Sequence, residues 1–301
     1  MVFWWRAHEG FVTVLRKRQL QVSDARNSGG RENVLSGLVK RAGLVLLLLP
    51  TPLMAAGLKW EVGVGGDAYW FDWREYDGDE QLLVESGPMM LGRGDLRLQA
   101  GDFYSRFSLA LGGGKAHYDG QLQDGTPYQS DAWEGIVETE LQLGWQQSWG
   151  SLYAGLMQRD WDRQIEGSST VSSVHEIYRW RLIVTGGEVN LVQTPSWNMA
   201  LALDYGRAFD SWQKVHSDFF GDFNLEPGEG HFWRVSVPVR HGAWEFTPFV
   251  QGQTMEVSQG VQRYPLSGGP LYTIVQPESE RIEGGLRMRY IFGNTRRPVA
   301  P

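Results

Sequence analysis

From residue 58 onward the chain alternates apolar and polar side chains over stretches of about ten residues, the period of a strand with two unlike faces. In Trp133 to Trp145, WEGIVETELQLGW, the series Gly135, Val137, Thr139, Leu141, Leu143 and Trp145 is interleaved with Glu134, Glu138, Glu140 and Gln142. Residues 281–292, RIEGGLRMRYIF, set Ile282, Leu286, Met288, Tyr290 and Phe292 against Arg281, Glu283, Arg287 and Arg289. Residues 232–240, FWRVSVPVR, set Trp233, Val235, Val237 and Val239 against Arg234, Ser236, Pro238 and Arg240. The pattern predicts an all-β, antiparallel chain of ten strands at 58–73, 87–100, 103–117, 132–147, 151–165, 174–192, 197–210, 230–240, 243–257 and 279–292.

A soluble sandwich alternates as well, so the choice of architecture rests on three further features. The apolar series carry aromatics near their ends, among them Trp60, Trp70, Trp145, Trp197, Trp233, Trp244, Tyr290 and Phe292, as interfacial girdles do. Connections alternate between tight turns, near residues 101–102, 148–150, 194–196 and 241–243, and longer polar loops at 75–87, 121–131, 166–173, 211–230 and 258–278. The last strand ends on aromatics close to the C-terminus. An even strand number returns both termini to the tight-turn side, and in lipid only closure satisfies every backbone donor and acceptor. On these features the chain, over 57–292, resembles the Gram-negative outer-membrane β-barrel class. The resemblance implies one transmembrane barrel domain with short periplasmic turns and longer extracellular loops. It also implies outer-membrane lipid and lipopolysaccharide as surroundings, and periplasmic chaperones and barrel-assembly machinery as partners. The tail GNTRRPVAP, 293–301, departs from barrels that stop at the terminal aromatic and is read as periplasmic.

Ahead of the strands lies RAGLVLLLLPTPLMAAG, residues 41–57. Its apolar run is broken by Pro50 and Pro52 and falls short of the roughly 20 residues of a spanning helix. A basic pair, an apolar stretch and a small-residue exit form the order of a secretory signal peptide, here 34–56 with cleavage near Ala56. The 33 residues before it lack apolar periodicity, and are read as a mis-assigned start or an extension without a fold.

Without the first 56 residues, 20 Lys and Arg stand against 32 Asp and Glu, a formal charge of −12. That balance argues against a nucleic-acid partner. There is no cysteine, so an exported chain of this kind relies on its ladder and core rather than on disulfides. No cofactor motif and no dedicated metal loop is present; Asp77, Asp79 and Glu80 lack the twelve-residue spacing of a calcium loop.

Placing the polar series inside fills the lumen with Lys59, Glu61, Asp67, Arg93, Asp95, Arg97, Arg106, Glu134, Glu138, Glu140, Arg179, Arg181, Arg234, Glu245, Glu283, Arg287 and Arg289. Both signs are present in similar numbers. A barrel this narrow is filled by its side chains, so paired Arg and Glu are expected to brace the wall rather than line a pore. Tyr178 and Trp180 then fall on the lipid side. Candidate chemistry is confined to the loop end: His117, Asp119, Asp160, Asp162, His216 and Asp218 are the only plausible carriers of catalysis. In size and strand number the chain resembles the omptin proteases, in which a His–Asp pair faces an Asp pair. Their loop signatures are absent, since His216-Ser217-Asp218 runs opposite to the Asp-x-His order. The reading is therefore a non-enzymatic integral outer-membrane barrel for envelope structure, surface contact or limited solute passage. An omptin-like surface hydrolase and a narrow porin-like channel are the alternatives.

Overall fold

The computed structural model describes residues 57–121, 125–168 and 171–294, and within them every regular element is a strand. The proposed prefix and signal peptide, and the tail beyond Asn294, lie outside the described residues. The strands are β1 (Lys59–Asp77), β2 (Glu80–Ala100), β3 (Phe103–Gln121), β4 (Pro127–Gln147), β5 (Gly150–Ile165), β6 (Val174–Gln193), β7 (Trp197–Ser217), β8 (Gly221–Leu225), β9 (Gly230–Ser236), β10 (Val239–His241), β11 (Trp244–Met255), β12 (Val261–Arg263), β13 (Tyr272–Ile274) and β14 (Glu278–Gly293). From β1 to β8 each strand pairs antiparallel with the next, and β14 pairs with β1 from Glu61↔Gly293 to Tyr76↔Glu278. This closes the sheet into a barrel.

Ten wall positions result because β9 and β10 are one wall strand, interrupted at Val237-Pro238 and paired with β7 on one side and β11 on the other. Proline has no N–H to give the ladder, yet its carbonyl still accepts from Ala200 N at 3.0 Å. Cross-strand partners traced from Trp60 pass through Leu98, Ser105, Leu143, Ala154, Thr185, Tyr205, Trp233, Gly252 and Ile282. They return to β1 at Asp72, twelve residues along. A shear of this size tilts the strands by about 40°.

On β1 the outward series Trp60, Val62, Val64, Ala68 and Trp70 is apolar and is followed by Asp72 and Arg74. Ten residues at about 3.3 Å rise and this tilt make a band about 25 Å tall, the height that the hydrocarbon of an outer membrane requires. Trp60 and Trp70 mark its edges, and Trp145, Trp197, Trp244 and Phe292 stand exposed at the level of Trp60.

At the end that carries both termini, the turns are short. Gly101 and Gly242 take φ values of 59° and 60°, which a two-residue hairpin turn demands and a side chain resists. The opposite end differs from the sequence expectation. Residues 75–87 are not a loop: β1 and β2 stay paired up to Asp77↔Glu80 around a two-residue turn. Residues 211–230 likewise continue β7 to Ser217 and fold back as β8. These two predicted loops are thus mostly strand, because backbone pairing continues above the apolar band where polar side chains no longer alternate cleanly. The connection between β11 and β14 remains long. It carries the β12–β13 hairpin and leans on the β7–β8 tip, where Tyr272 packs edge-on to Phe220 at 5.5 Å and Leu266 N donates to Phe219 O at 2.9 Å.

Candidate functional site

At the terminal end the lumen is a polar recess with about 1070 Å³ of empty space, counting the part open to solvent. Arg97 lies 3.8 Å over the Tyr104 ring and donates to Gln146 at 3.0 Å, while Arg240 pairs with Glu61 at 2.8 Å. Deeper, Asp95 receives Arg106 at 2.7 Å and is also held by Arg289, which reaches on to Glu245.

At mid-height the charges cross the bore. Arg93 joins Asp67 at 2.8 Å to Glu138 at 3.0 Å, and Arg287 closes on Asp67 from the other side at 3.0 Å. Arg234 on β9 binds Asp204 at 2.6 Å and Glu140 on β4 at 3.4 Å. Arg159 on β5 donates to Glu283 on β14 at 2.6 Å. Those two strands are five positions apart either way around the ring, so this pair spans a diameter. Arg159 and Glu283 are each 1 % exposed at the side chain. Planar guanidinium groups suit such a lattice because each can serve two carboxylates at once.

Above this layer the interior becomes aromatic. Trp161 stacks on Tyr178 at 4.7 Å and meets Trp73 edge-on at 4.9 Å, with Phe71 and Trp180 completing the cluster. Arg281 lies 4.7 Å over Trp180. Over the rings sits Arg163, bound by Glu85 and Glu176 at 2.7 Å each and 3.7 Å from Glu75. Gln276, from the long connection, descends to donate to Glu75 at 2.9 Å and to accept from Tyr178 Oη at 3.2 Å. This group lies above the level of Trp70, outside the apolar band. Burial pushes the Glu75 carboxyl up to about 7, against the pull of Arg163. Glu134, beside Glu85, is raised well above the ordinary carboxylate range, again chiefly by burial.

Among the residues assigned to the lumen from sequence, two are corrected. Arg179 and Arg181 face outward, and it is Tyr178 and Trp180, expected at the lipid surface, that point into the barrel. Arg179 bonds to Asp160 and sits 4.8 Å over Trp212, and Arg181 bonds to Asp210, all on the outer wall. The physical reason is height: β6 has risen above the apolar band there, so water lies outside and the packed core inside. Arg159, Arg163, Glu75, Glu85 and Glu176 are lumen charges that the sequence reading left out, and Arg281, of the polar series of the last strand, joins them. The row Met157, Arg159, Trp161, Arg163 on β5 carried the signal, but it mixes aromatic and charged residues in one phase and so matches neither an apolar nor a polar face.

The candidate catalytic groups do not meet. His216 donates through Nδ1 to Asp222 at 2.9 Å, His175 Nε2 lies 2.9 Å from Asp162, and Asp160 is taken by Arg179. His117 Nδ1 is 3.9 Å from Asp131, and Asp119 accepts from Gln129 at 3.2 Å. Asp119 and His117 stand on β3 and His216 on β7, four wall strands apart, and Asp218 follows β7 in the turn to β8. Among the described residues no group of three His, Cys, Asp or Glu converges as a metal-ligand set.

No protein-family model and no curated protein matches the chain. Solved structures with a similar course include the outer membrane protease OmpT from Escherichia coli, at TM-score 0.52 and 9 % identity over 79 % of this chain and 98 % of that one. They also include the translocator domain of the autotransporter NalP from Neisseria meningitidis, at TM-score 0.44 and 9 % identity over 86 % and 97 %. At such identity the likeness is one of fold: the chain has the closed, ten-stranded antiparallel architecture of outer-membrane β-barrels.

Proposed function

We propose that the protein is an integral outer-membrane barrel with a closed bore, a non-enzymatic element of the envelope that presents its tall loop end to the cell exterior. The observation that carries this reading is the diametric Arg159–Glu283 pair, roofed by the Trp161 aromatic layer. A hydrated ion path needs continuous space past such a layer, and here buried charges are spent on one another rather than on passing ions. The apolar band between Trp60 and Trp70 supports a place in lipid, and the separation of His117 and Asp119 from His216 speaks against a water-activating cleft. Planar-bilayer recording of the refolded chain tests the proposal. The expected record shows no steady single-channel current; steady, ion-selective currents would overturn it and make transport the leading function.

A further inference from the structure

On the outer wall, above the apolar band, His175 of β6 and His216 of β7 are register partners whose rings lie 5.2 Å apart at 17°. Each ring already has one nitrogen against a carboxylate: His175 Nε2 and Asp162 Oδ1 are 2.9 Å apart, as are His216 Nδ1 and Asp222 Oδ1. A carboxylate only accepts, so in the neutral imidazoles these nitrogens carry the protons. The lone pairs are thereby fixed on Nδ1 of His175 and Nε2 of His216. A carboxylate bound to the other ring nitrogen orients a ligating histidine and raises its basicity. Here two such units stand side by side on one rigid sheet, with side chains 38 % and 33 % exposed, open to an ion from solvent.

We propose that His175 and His216 form a two-histidine site for a borderline divalent transition-metal ion of the zinc or nickel kind, with Asp162 and Asp222 as positioning residues and water completing the coordination. Imidazole nitrogen suits such ions, whereas calcium and magnesium prefer oxygen cages. With only two protein ligands, the site holds the ion exchangeably and leaves positions open to a second ligand at the cell surface.

Isothermal titration of the full chain in detergent with zinc chloride tests this, with urea unfolding in the presence and absence of zinc as a second readout. One saturable equivalent is expected, together with a zinc-dependent rise in stability, because the ion binds the folded wall only. His175→Asn and His216→Asn should each abolish both effects. Asp162→Asn should keep the single equivalent but weaken it by about 10–100-fold, as loss of a carboxylate that orients a ligating histidine does. His117→Asn, on another strand, should change nothing. If His–Asp pairing here is merely structural, the wild type shows no saturable uptake, and that result overturns the proposal, as does uptake that persists in His216→Asn.

Discussion

Below Trp70 the barrel is apolar outside and charged inside; just above it the arrangement is inverted, polar outside and aromatic inside, with the buried Arg163 cluster lying over the rings. On β6 the contrast runs along one strand: Ile183, Val189 and Leu191 point out below while Glu188 points in, but higher up Arg179 and Arg181 point out while Tyr178 and Trp180 point in. On β1, Val64 and Trp70 face out opposite Asp67, and two steps higher Asp72 and Arg74 face out opposite Phe71 and Trp73. The strand, the pleat and the period are the same in both halves. With the band in lipid as proposed, only the medium outside changes, from hydrocarbon to water, and with it the side on which apolar groups are stabilised. The lower half has the apolar belt and polar interior of a membrane barrel, while the upper half has a polar outer wall and an aromatic core of its own.

The largest effect that follows is on that upper core. Trp161 is fully buried, and its indole N–H is the donor to Glu134. Trp161→Ala opens a cavity between Phe71, Trp73 and Tyr178 and strips a buried carboxyl of its donor. It should lower stability by about 3–5 kcal/mol in a urea titration in lipid vesicles. If the upper half were only loose loop, the loss would be near zero, and the inversion would be a feature of side-chain placement without energetic content.

This inversion also explains what was legible in the sequence. Strand number, tight turns and the faces of Trp133 to Trp145 follow from simple alternation, because most of β4 lies within the band, where apolar means outward. For Tyr178 to Arg181 and for Asp160 to Arg163 the same alternation reads backwards, since nothing in a ten-residue window gives height above the membrane. Height enters through the shear, which depends on closure of β14 on β1 and so on pairings between distant residues. The long-range partners of the lumen, such as Arg159 and Glu283, are hidden for the same reason: they are 124 positions apart in sequence and meet only across the closed ring.

In the lower half the expected cost is somewhat smaller. Leu141 points outward near mid-band, opposite Phe107 and Leu156, whereas Gln142 beside it points into the lumen and donates to Glu140. Leu141→Arg should cost about 2–4 kcal/mol, the penalty of a cation at the bilayer midplane. Gln142→Arg should be far milder, because the new guanidinium enters a recess that already holds Glu140. Equal tolerance at the two positions would remove the lipid from the lower half of the comparison.

The upper cluster brings a smaller, graded effect. The Glu75 carboxyl is raised to about 7 from 4.5 by burial, so the folded state keeps a proton that the unfolded chain has released. Its contribution to stability is fully present below pH 4.5 and is lost as pH climbs to about 7, at up to roughly 1.4 kcal/mol per pH unit, with no further change above. Glu134 acts in the same direction. Glu75→Gln, a neutral replacement that keeps an oxygen acceptor for Trp73 and Gln276, should flatten that slope in unfolding titrations at stepped pH. An unchanged slope would mean that the cluster is hydrated and the upper core less closed than its packing indicates.

The smallest effect is the sharpest control. Val84 points outward on β2, as Leu141 does on β4, and is apolar too, but it pairs with Arg74 and Asp119 four residues above Trp70. By alternation alone the two positions are equivalent. By height they are not: at Val84 an added guanidinium remains in water, with Asp119 on one flank offsetting Arg74 on the other. Val84→Arg should therefore change stability by no more than about 0.5 kcal/mol, the range of ordinary surface substitutions. The same residue type introduced on the same face of two strands thus becomes a depth gauge. If Val84→Arg costs as much as Leu141→Arg, hydrocarbon reaches past Arg74, the band is taller than its two tryptophans mark, and Asp160, Arg179 and Arg181 would have to be held in lipid as paired ions.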